Sequence, residues 1–199
     1  MGWKTWLSEI KTSVLAVLAL SVVLCGVYPL TVWLLSQGLF PERANGSLVE
    51  RTGQTVGSNL LGQAFREPRF FHPRPSAAGQ GYDATRSGAT NLGPTSNRLA
   101  EAVRARVAAY RAENGLGPGE AVPADAVTAS ASGLDPHISL RNAFLQAGRV
   151  AHARGLAEAD VVRLIDRVKE GRSLGFLGEP RVNVLVLNLA LDGVRNGRK

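Results

Sequence analysis

The chain has 199 residues, of which 45% are hydrophobic, and a formal net charge of +7 at pH 7. The positive charge is mostly arginine and is spread among acidic residues, which is typical of a solvated surface and argues against a nucleic-acid partner. Anionic lipid headgroups or acidic protein surfaces are the expected counterparts. Cys25 is the one cysteine, so the remainder of the sequence has neither a disulfide nor a cysteine-based metal site.

Residues 13–35 form a long apolar stretch, and no charged residue occurs between Lys11 and Glu42. At about 1.5 Å per residue, a helix over this stretch is roughly 34 Å long, enough to cross a hydrocarbon core of about 30 Å. We therefore predict a transmembrane helix in which Pro29 is tolerated as a kink. A cleavable signal peptide is the alternative, but the apolar run is longer than usual and no clear cleavage site follows it.

The charges around this helix predict its orientation. Lys4 and Lys11 precede the helix, whereas the charges that follow it cancel in pairs, so residues 1–12 are expected in the cytoplasm. Residues 36–46 are predicted to be a linker, and residues 47–199 an exported domain on the periplasmic or extracellular side of the inner (cell) membrane. The chain is then a single-pass membrane protein.

Small residues recur on the predicted transmembrane helix. Ala16, Ala19 and Gly26 are spaced by three and seven residues and fall near one face. Small residues let helix backbones approach each other in lipid, so we expect this face to dock on a neighbouring helix, with Pro29 bending the helix towards it. Ordinary lipid-facing positions are the alternative.

The exported part is predicted to be an α+β domain with about three helices and a small sheet, carried on the single N-terminal transmembrane helix. Periodicity and capping residues predict helices from Thr95 or Ser96 to Asn114, from Ser139 to Gly155 with Phe144, Ala147 and Ala151 on its apolar face, and from Ala157 to Glu170. Strands are predicted over residues 46–50, residues 126–130 and the first half of residues 181–192.

Residues 67–95 have neither a helical nor a strand period, and a loop of this length in a compact domain is usually functional or disordered. Phe70, Phe71 and Tyr82 argue against disorder. We expect an ordered surface loop in which these aromatic residues dock on a partner. A packed connection without a partner is the alternative.

Residues 130–139 contain the densest set of reactive side chains. Ser132 and His137 suggest a membrane-anchored exported hydrolase, but residues this close in sequence seldom form a triad, and no G-x-S-x-G elbow is present. We interpret Asp135 as a turn residue and Ser139 as a helix cap. The three histidines lack the spacing of a metal site, so no metal is expected. An envelope module that binds an anionic ligand is a third possibility.

Six stretches in the same order resemble the C subunit of the Kdp potassium-transporting ATPase. They are NGSL at Asn45, GSNLLGQAF at Gly57, FFHPRPSAAG at Phe70, SGATNLGPTS at Ser87, VTASASGLDPHIS at Val127 and GFLGEPRVNVLVLNLALD at Gly175. The resemblance covers the anchor and nearly all of the exported domain. It departs from the commonest form at Ala89 and Thr90, where Gly-Ser is often seen.

The resemblance implies a non-catalytic subunit of a high-affinity, ATP-driven potassium uptake pump. Its partners would be a channel-like A subunit, a P-type ATPase B subunit, a small F peptide and membrane lipid, with ATP and K⁺ belonging to the complex. The family's C subunit is required for assembly and is proposed to be a chaperone that raises the ATP affinity of the B subunit. The glutamine proposed to contact the nucleotide matches Gln146. An exported domain cannot touch cytoplasmic ATP, so coupling passes through the membrane helices or that model needs revision.

Overall fold

A computed structural model describes residues 2–196 of the chain. The chain divides into two compact units, Met1–Leu48 and Val49–Lys199. The first unit is helical, and the second contains short strands and most of the remaining helices. The predicted fold class, an α+β domain on one N-terminal apolar helix, is confirmed.

The first unit is one long helical run. An α-helix, α1 (Trp3–Ser21), continues through a π-helical segment (Val22–Val27) into α2 (Tyr28–Leu39). The π-helical segment ends just before Pro29, which has no N–H to donate to the preceding turn. The interruption expected at Pro29 therefore takes the form of a local change in the hydrogen-bond ladder.

The run from Trp3 to Leu39 is, among the described residues, the one helix long and apolar enough to cross a membrane. None of the residues in its three segments is buried. This distinguishes it from the core helix of a soluble domain, which has a comparable composition but is enclosed. A short helix, α3 (Pro41–Ala44), follows within the stretch expected to be a linker.

The second unit begins with a two-stranded sheet and ends with a helix. The elements are β1 (Leu48–Arg51), β2 (Gln54–Ser58), α4 (Asn97–Asn114), α5 (Ala124–Val127), β3 (His137–Ser139), α6 (Leu140–Arg154), α7 (Glu158–Val168), β4 (Arg181–Asn183) and α8 (Val184–Asn196). Strands β3 and β4 pair antiparallel, with Ile138 opposite Val182. Each of these strands runs directly into a helix, so this small sheet positions the starts of α6 and α8.

The ends of α4 and α6 follow the capping signals in the sequence. The Ser139 hydroxyl accepts the N–H of Asn142 at 3.1 Å and caps the start of α6, as predicted. Gly115 and Gly155 end α4 and α6 with φ angles of 67° and 64°, a left-handed conformation that glycine adopts most readily.

The core lies where α6, α7 and α8 pack around the β3–β4 pair. Its side chains come from all of these elements and from the long loop. The largest of the fully buried apolar residues are Phe71, Ile138, Ile165, Leu187 and Leu191. The predicted helix over residues 157–170 is confirmed, since α7 buries Val161, Leu164 and Ile165.

Two local predictions are wrong, and a third is confirmed only in part. Residues 126–130 do not form a strand, because Ala124–Val127 is a helical turn. The strand predicted over the first half of residues 181–192 is present only at Arg181–Asn183, because α8 begins at Val184. On α6, Phe144 is 36% exposed and Ala143 takes the expected core position, one residue earlier.

The loop over residues 67–95 contains neither helix nor strand, as predicted. It is attached to the domain through Phe71 and Ala78, both of which are completely buried. A buried loop requires partners for its main-chain polar groups. These partners are the starting point of the candidate functional site.

Candidate functional site

Two side-chain amides hold consecutive residues of the long loop. Asn188, on α8, accepts the N–H of Phe71 at 2.8 Å and donates to its carbonyl at 3.0 Å. Gln146, on α6, accepts the N–H of His72 at 2.7 Å and donates to its carbonyl at 3.1 Å. Each amide makes the pair of hydrogen bonds that a neighbouring strand would otherwise make. We call these four residues the amide clamp.

Gln146 is engaged at every hydrogen-bonding position of its amide. Besides its two bonds to His72, its nitrogen donates to the Asn142 side chain at 2.8 Å, and its oxygen accepts from Arg149 at 2.7 Å. The residue is 1% exposed. An amide has two donor hydrogens and one acceptor oxygen with two lone pairs, so none is left over. A direct nucleotide contact by Gln146 would require one of these bonds to break.

The network continues from Gln146 into α4. Asn142 accepts from the Tyr110 hydroxyl at 2.8 Å and donates to Asp125 at 2.9 Å. Burial raises the pKa of Tyr110, and the nearby negative charge of Asp125 raises it further, so this hydroxyl stays protonated and remains a donor. The clamp is thereby connected to α4 through buried polar groups that are all satisfied.

A cavity of about 190 Å³ opens beside this network, and it is lined in part by His72, Arg106, Tyr110 and Glu113. The His72 ring contacts the Glu113 carboxylate through Nδ1 at 2.9 Å and the Glu67 carbonyl through Nε2 at 3.1 Å. Both contacts favour a protonated ring. Burial and the positive charge of Arg149 outweigh them and lower the pKa of His72 below its usual value of 6.5.

Arg149 also connects the loop to α4. Its guanidinium donates to the carbonyls of Pro68 and Phe70 at 2.6 and 3.0 Å, and to the Asn114 side chain at 3.0 Å. Burial lowers the pKa of Arg149, but Glu113 opposes this shift. Hydrogen bonds from a charged guanidinium are stronger than neutral ones, so Arg149 holds the loop against the end of α4.

The three aromatic residues expected to dock on a partner have different surroundings. Phe71 is completely buried, so its side chain belongs to the core and is not available to a partner. Phe70 is partly exposed and packs against Phe65 and the guanidiniums of Arg69 and Arg154. Tyr82 donates to the Arg74 carbonyl at 2.6 Å, and burial raises its pKa to about 12. The hypothesis of docking on a partner therefore remains for Phe70 and Tyr82, which are partly exposed.

The reactive side chains in residues 130–139 do not form a triad. The Ser132 hydroxyl accepts the N–H of Leu134 at 3.1 Å, and the His137 ring lies near the carboxylates of Asp135 and Glu170 at 3.6 and 3.5 Å. Among the hydrogen bonds of the described residues, none joins Ser132 to His137. A nucleophile without a base in contact is not activated for hydrolysis.

Asp135 is the turn residue that the sequence predicts. Its carboxylate accepts the N–H of His137 at 3.0 Å and pairs with Arg74 at 2.8 Å. Burial alone would raise the pKa of Asp135, but the hydrogen bonds from His137 and Arg74 outweigh it and lower the pKa to about 2. Within residues 2–196, no three His, Cys, Asp or Glu side chains are grouped to hold a metal ion.

The small residues expected to dock in the membrane lie on different parts of the helical run. Ala16 and Ala19 are in α1, Gly26 is in the π-helical segment, and Pro29 is in α2. A Cβ added at Gly26 would meet nothing within 4 Å, so this position is open to a neighbour. Because the π-helical segment changes the turn, Gly26 no longer follows the α-helical spacing that aligns Ala16 with Ala19.

Residues 10–193 match the model of a family described as KdpC, the c chain of a K⁺-transporting ATPase. The chain belongs to the KdpC family. Three relatives, each named Potassium-transporting ATPase KdpC subunit, match it over nearly their whole length. They come from Koribacter versatilis (50% identical over 184 residues, 92% of this chain and 94% of the relative), Nitratidesulfovibrio vulgaris (52% over 193 residues, 96% and 98%) and Rhodospirillum rubrum (56% over 181 residues, 89% and 92%).

KdpC membership confirms the resemblance that six sequence stretches indicate. The amide clamp and the cavity beside it lie entirely within the residues that match the KdpC model. Sequence reasoning missed Asn188, although a polar residue in the apolar stretch VLVLNLAL is a recognisable signal. A polar side chain on the buried face of a helix needs a specific partner.

Proposed function

We propose that the chain is a non-catalytic subunit of an ATP-driven potassium pump, anchored by the helical run Trp3–Leu39. The match of residues 10–193 to the KdpC model is the single observation that carries this proposal. Potassium and ATP are bound by other subunits of the complex, which we infer to be the channel-like A subunit, the P-type ATPase B subunit and the F peptide. The role of this chain is in assembly.

The absence of a Ser132–His137 hydrogen bond among the described residues favours this function over an exported hydrolase. Replacing Ser132 by Ala removes one local hydrogen bond, to the N–H of Leu134, and leaves the amide clamp intact. Potassium-stimulated ATP hydrolysis by the assembled complex should therefore be nearly unchanged. Loss of turnover by several orders of magnitude in a folded, assembled Ser132→Ala complex would instead support the hydrolase.

Assembly itself is tested by co-purification. An affinity-tagged chain extracted in mild detergent should bring with it a P-type ATPase and a channel-like subunit in fixed molar ratio. Recovery of the chain alone, from cells that contain all the subunits, would contradict the proposal. Deletion of the chain should also abolish potassium-stimulated ATP hydrolysis in membranes from the same cells.

We further propose that Gln146 influences ATP affinity through the loop it holds rather than by touching the nucleotide. All four of its hydrogen-bonding positions are occupied, and its side chain is buried. A change in Gln146 would then alter the surface that the loop presents to the other subunits. Crosslinking with a photoreactive ATP analogue should label the B subunit and leave this chain unlabelled.

The orientation proposed for the chain places residues 1–12 in the cytoplasm and the second unit outside. Thr90 is exposed in the long loop, and Thr5 is exposed near the start of α1, so a cysteine at either position is accessible to reagents. In a Cys25→Ser background, a membrane-impermeant maleimide should label Thr90→Cys on intact cells. Thr5→Cys should react only after the membrane is opened, and the reverse pattern would contradict the orientation.

A further inference from the structure

A short hairpin connects α7 to β4. Glu170 and Arg181 exchange main-chain hydrogen bonds of 2.8 and 3.0 Å at its base. Near its tip, Ser173 and Leu177 exchange two further bonds, both of 2.9 Å. The tip is therefore held in one conformation by main-chain bonds, and binding with it would cost little conformational entropy.

The tip exposes large apolar side chains. Leu174 is 83% exposed, Phe176 is 68% exposed and Leu177 is 50% exposed. Single exposed apolar residues are ordinary on a protein surface, but three within four consecutive positions form a continuous patch. Nothing in the described part of this unit covers these side chains.

The backbone conformation of Leu174 is also energetically unfavourable. Its φ angle is 54°, in the left-handed region that a leucine seldom adopts, and Gly175 follows with a φ of 83°. Strain of this kind persists where a surface is held ready for a partner. Leu174 gains no burial that would offset its strain within this chain.

The charges beside the tip distinguish between two kinds of surface. Arg172 pairs with Glu179 at 3.1 Å, and Arg181 pairs with Glu170 at 2.9 Å. These four are the charged residues from Glu170 to Arg181, so the net charge of this segment is zero. Lys169, which precedes it, pairs with Asp166. A loop that binds anionic lipid carries excess positive charge, whereas an apolar centre with a polar, charge-balanced rim is the anatomy of a protein interface.

We propose that Leu174, Phe176 and Leu177 dock as a unit into an apolar pocket on a partner subunit of the pump. This inference rests on the proposed function, because it requires the chain to assemble with other subunits. The partner's pocket is a protein surface that is uncharged at its centre and accepts two leucines and a phenylalanine. The ion pairs of the hairpin form the rim of the contact.

The substitution Leu174→Asn separates docking from folding. Asparagine tolerates the left-handed conformation better than leucine, so the variant chain should unfold at the same or a higher urea concentration than the original chain. Its recovery with partner subunits should nevertheless fall at least tenfold, and Phe176→Ser should have a similar effect. A residue with a merely structural role would lower stability and assembly together.

Leu60→Asn is the matched control, because Leu60 is a 57% exposed leucine elsewhere in the same unit. It should leave both urea stability and subunit recovery unchanged. Normal recovery of the partner subunits with Leu174→Asn and with Phe176→Ser would overturn the docking inference while leaving the proposed function intact. If the original chain itself recovers no partner subunit, both the proposed function and this inference fail.

An environment-sensitive fluorophore at residue 173, which is exposed beside the three docking side chains, distinguishes a protein pocket from lipid. The full chain with Cys25→Ser and Ser173→Cys is labelled and placed in nanodiscs that contain phosphatidylcholine and phosphatidylglycerol. Its emission should shift to the blue only when the partner subunits are present. An equal shift with the chain alone would overturn the inference and assign the tip to the lipid surface.

Discussion

The side-chain amide of Asn188 pairs with both main-chain polar groups of Phe71, a residue 117 positions earlier in the chain. Gln146 makes the same pair of bonds with His72 from another helix. The loop segment thus has hydrogen-bonded neighbours on two sides without belonging to a sheet. Its position depends on two side chains rather than on a strand, which makes single substitutions informative.

Replacing Asn188 by Leu should lower the free energy of unfolding by about 2–4 kcal/mol. The substitution leaves the N–H and carbonyl of Phe71 buried without partners, and each unpaired group costs about 1–3 kcal/mol. Urea unfolding followed by far-UV circular dichroism is a suitable measurement. Tryptophan emission is not, because Trp3, Trp6 and Trp33 are all outside the second unit.

The matched control for the clamp is Asn97→Leu, since Asn97 is an exposed residue of α4. It should change the unfolding free energy by less than about 0.5 kcal/mol. Amide hydrogen exchange gives a local readout, because the N–H of Phe71 should exchange much faster in Asn188→Leu. Unchanged protection of that N–H would mean that the clamp does not hold the loop.

The stability of the second unit should decrease as the pH falls below 6.5, and His72 should account for part of the decrease. Burial and Arg149 lower the pKa of His72, so the unfolded chain takes up a proton at this residue before the folded chain does. The contribution of His72 to stability is then complete above pH 6.5 and is lost as the pH falls towards the lowered pKa. Urea unfolding at several values between about pH 7.5 and pH 5.5 measures the slope.

The His72→Gln variant should have a smaller slope over that range, because it removes the titrating group. Asn97→Gln is the control, since Asn97 is exposed on α4 and neither residue titrates, and it should retain the slope of the original chain. Comparison of slopes, rather than of absolute stabilities, leaves out any part of the effect of the substitution that does not depend on pH. Equal slopes in all three chains would contradict the assignment.

Gly133→Ala should be far more destabilising than Gly115→Ala, although both glycines are left-handed. Their φ angles are 69° and 67°, so the backbone cost, about 1–2 kcal/mol, is common to both. A Cβ at Gly133 would lie 2.6 Å from the Ala78 nitrogen and 2.9 Å from the Gly88 carbonyl oxygen, whereas at Gly115 it would meet nothing within 4 Å. The difference between the two unfolding free energies measures this steric clash, and equal values would contradict it.

The double substitution Ala16→Leu, Ala19→Leu should weaken recovery of the partner subunits without affecting the fold of the second unit. Larger side chains on this face keep a neighbouring helix at a greater distance, and close packing is what joins helices in lipid. Leu18→Ile, on another face of α1, is the control. Equal recovery of the partner subunits with the double variant would show that these alanines face lipid.

Local signals predicted the helices well where one residue determines an end. Ser139, Gly115 and Gly155 mark their caps in the sequence because capping depends on the backbone of a few adjacent residues. The same local reasoning fails for residues 184–186, the later part of the predicted strand, where valine and leucine are compatible with either a strand or a helix. Burial of Val184, Leu187 and Leu191 on one face decides for the helix, and that burial depends on the packing of α8.

The candidate site was harder to predict from the sequence than the helices. The resemblance predicts a nucleotide contact at Gln146, but the hydrogen-bond partner of Gln146 in the structure is the main chain of His72, 74 positions earlier. No pattern in the sequence indicates a bond between a side-chain amide and a distant loop. Phe70 and Phe71 likewise look equivalent in sequence, and only the core contacts of Phe71 separate them.

The long separation between Phe71 and Asn188 has a consequence for the order of folding during synthesis. The loop is synthesised well before α8, so Phe71 lacks its hydrogen-bond partner in the nascent chain until Asn188 has been added. The core cannot close around the loop before then, since Leu187 and Leu191 arrive on the same helix. Under the orientation proposed above, the second unit would therefore cross the membrane as an open polypeptide and form its tertiary structure afterwards.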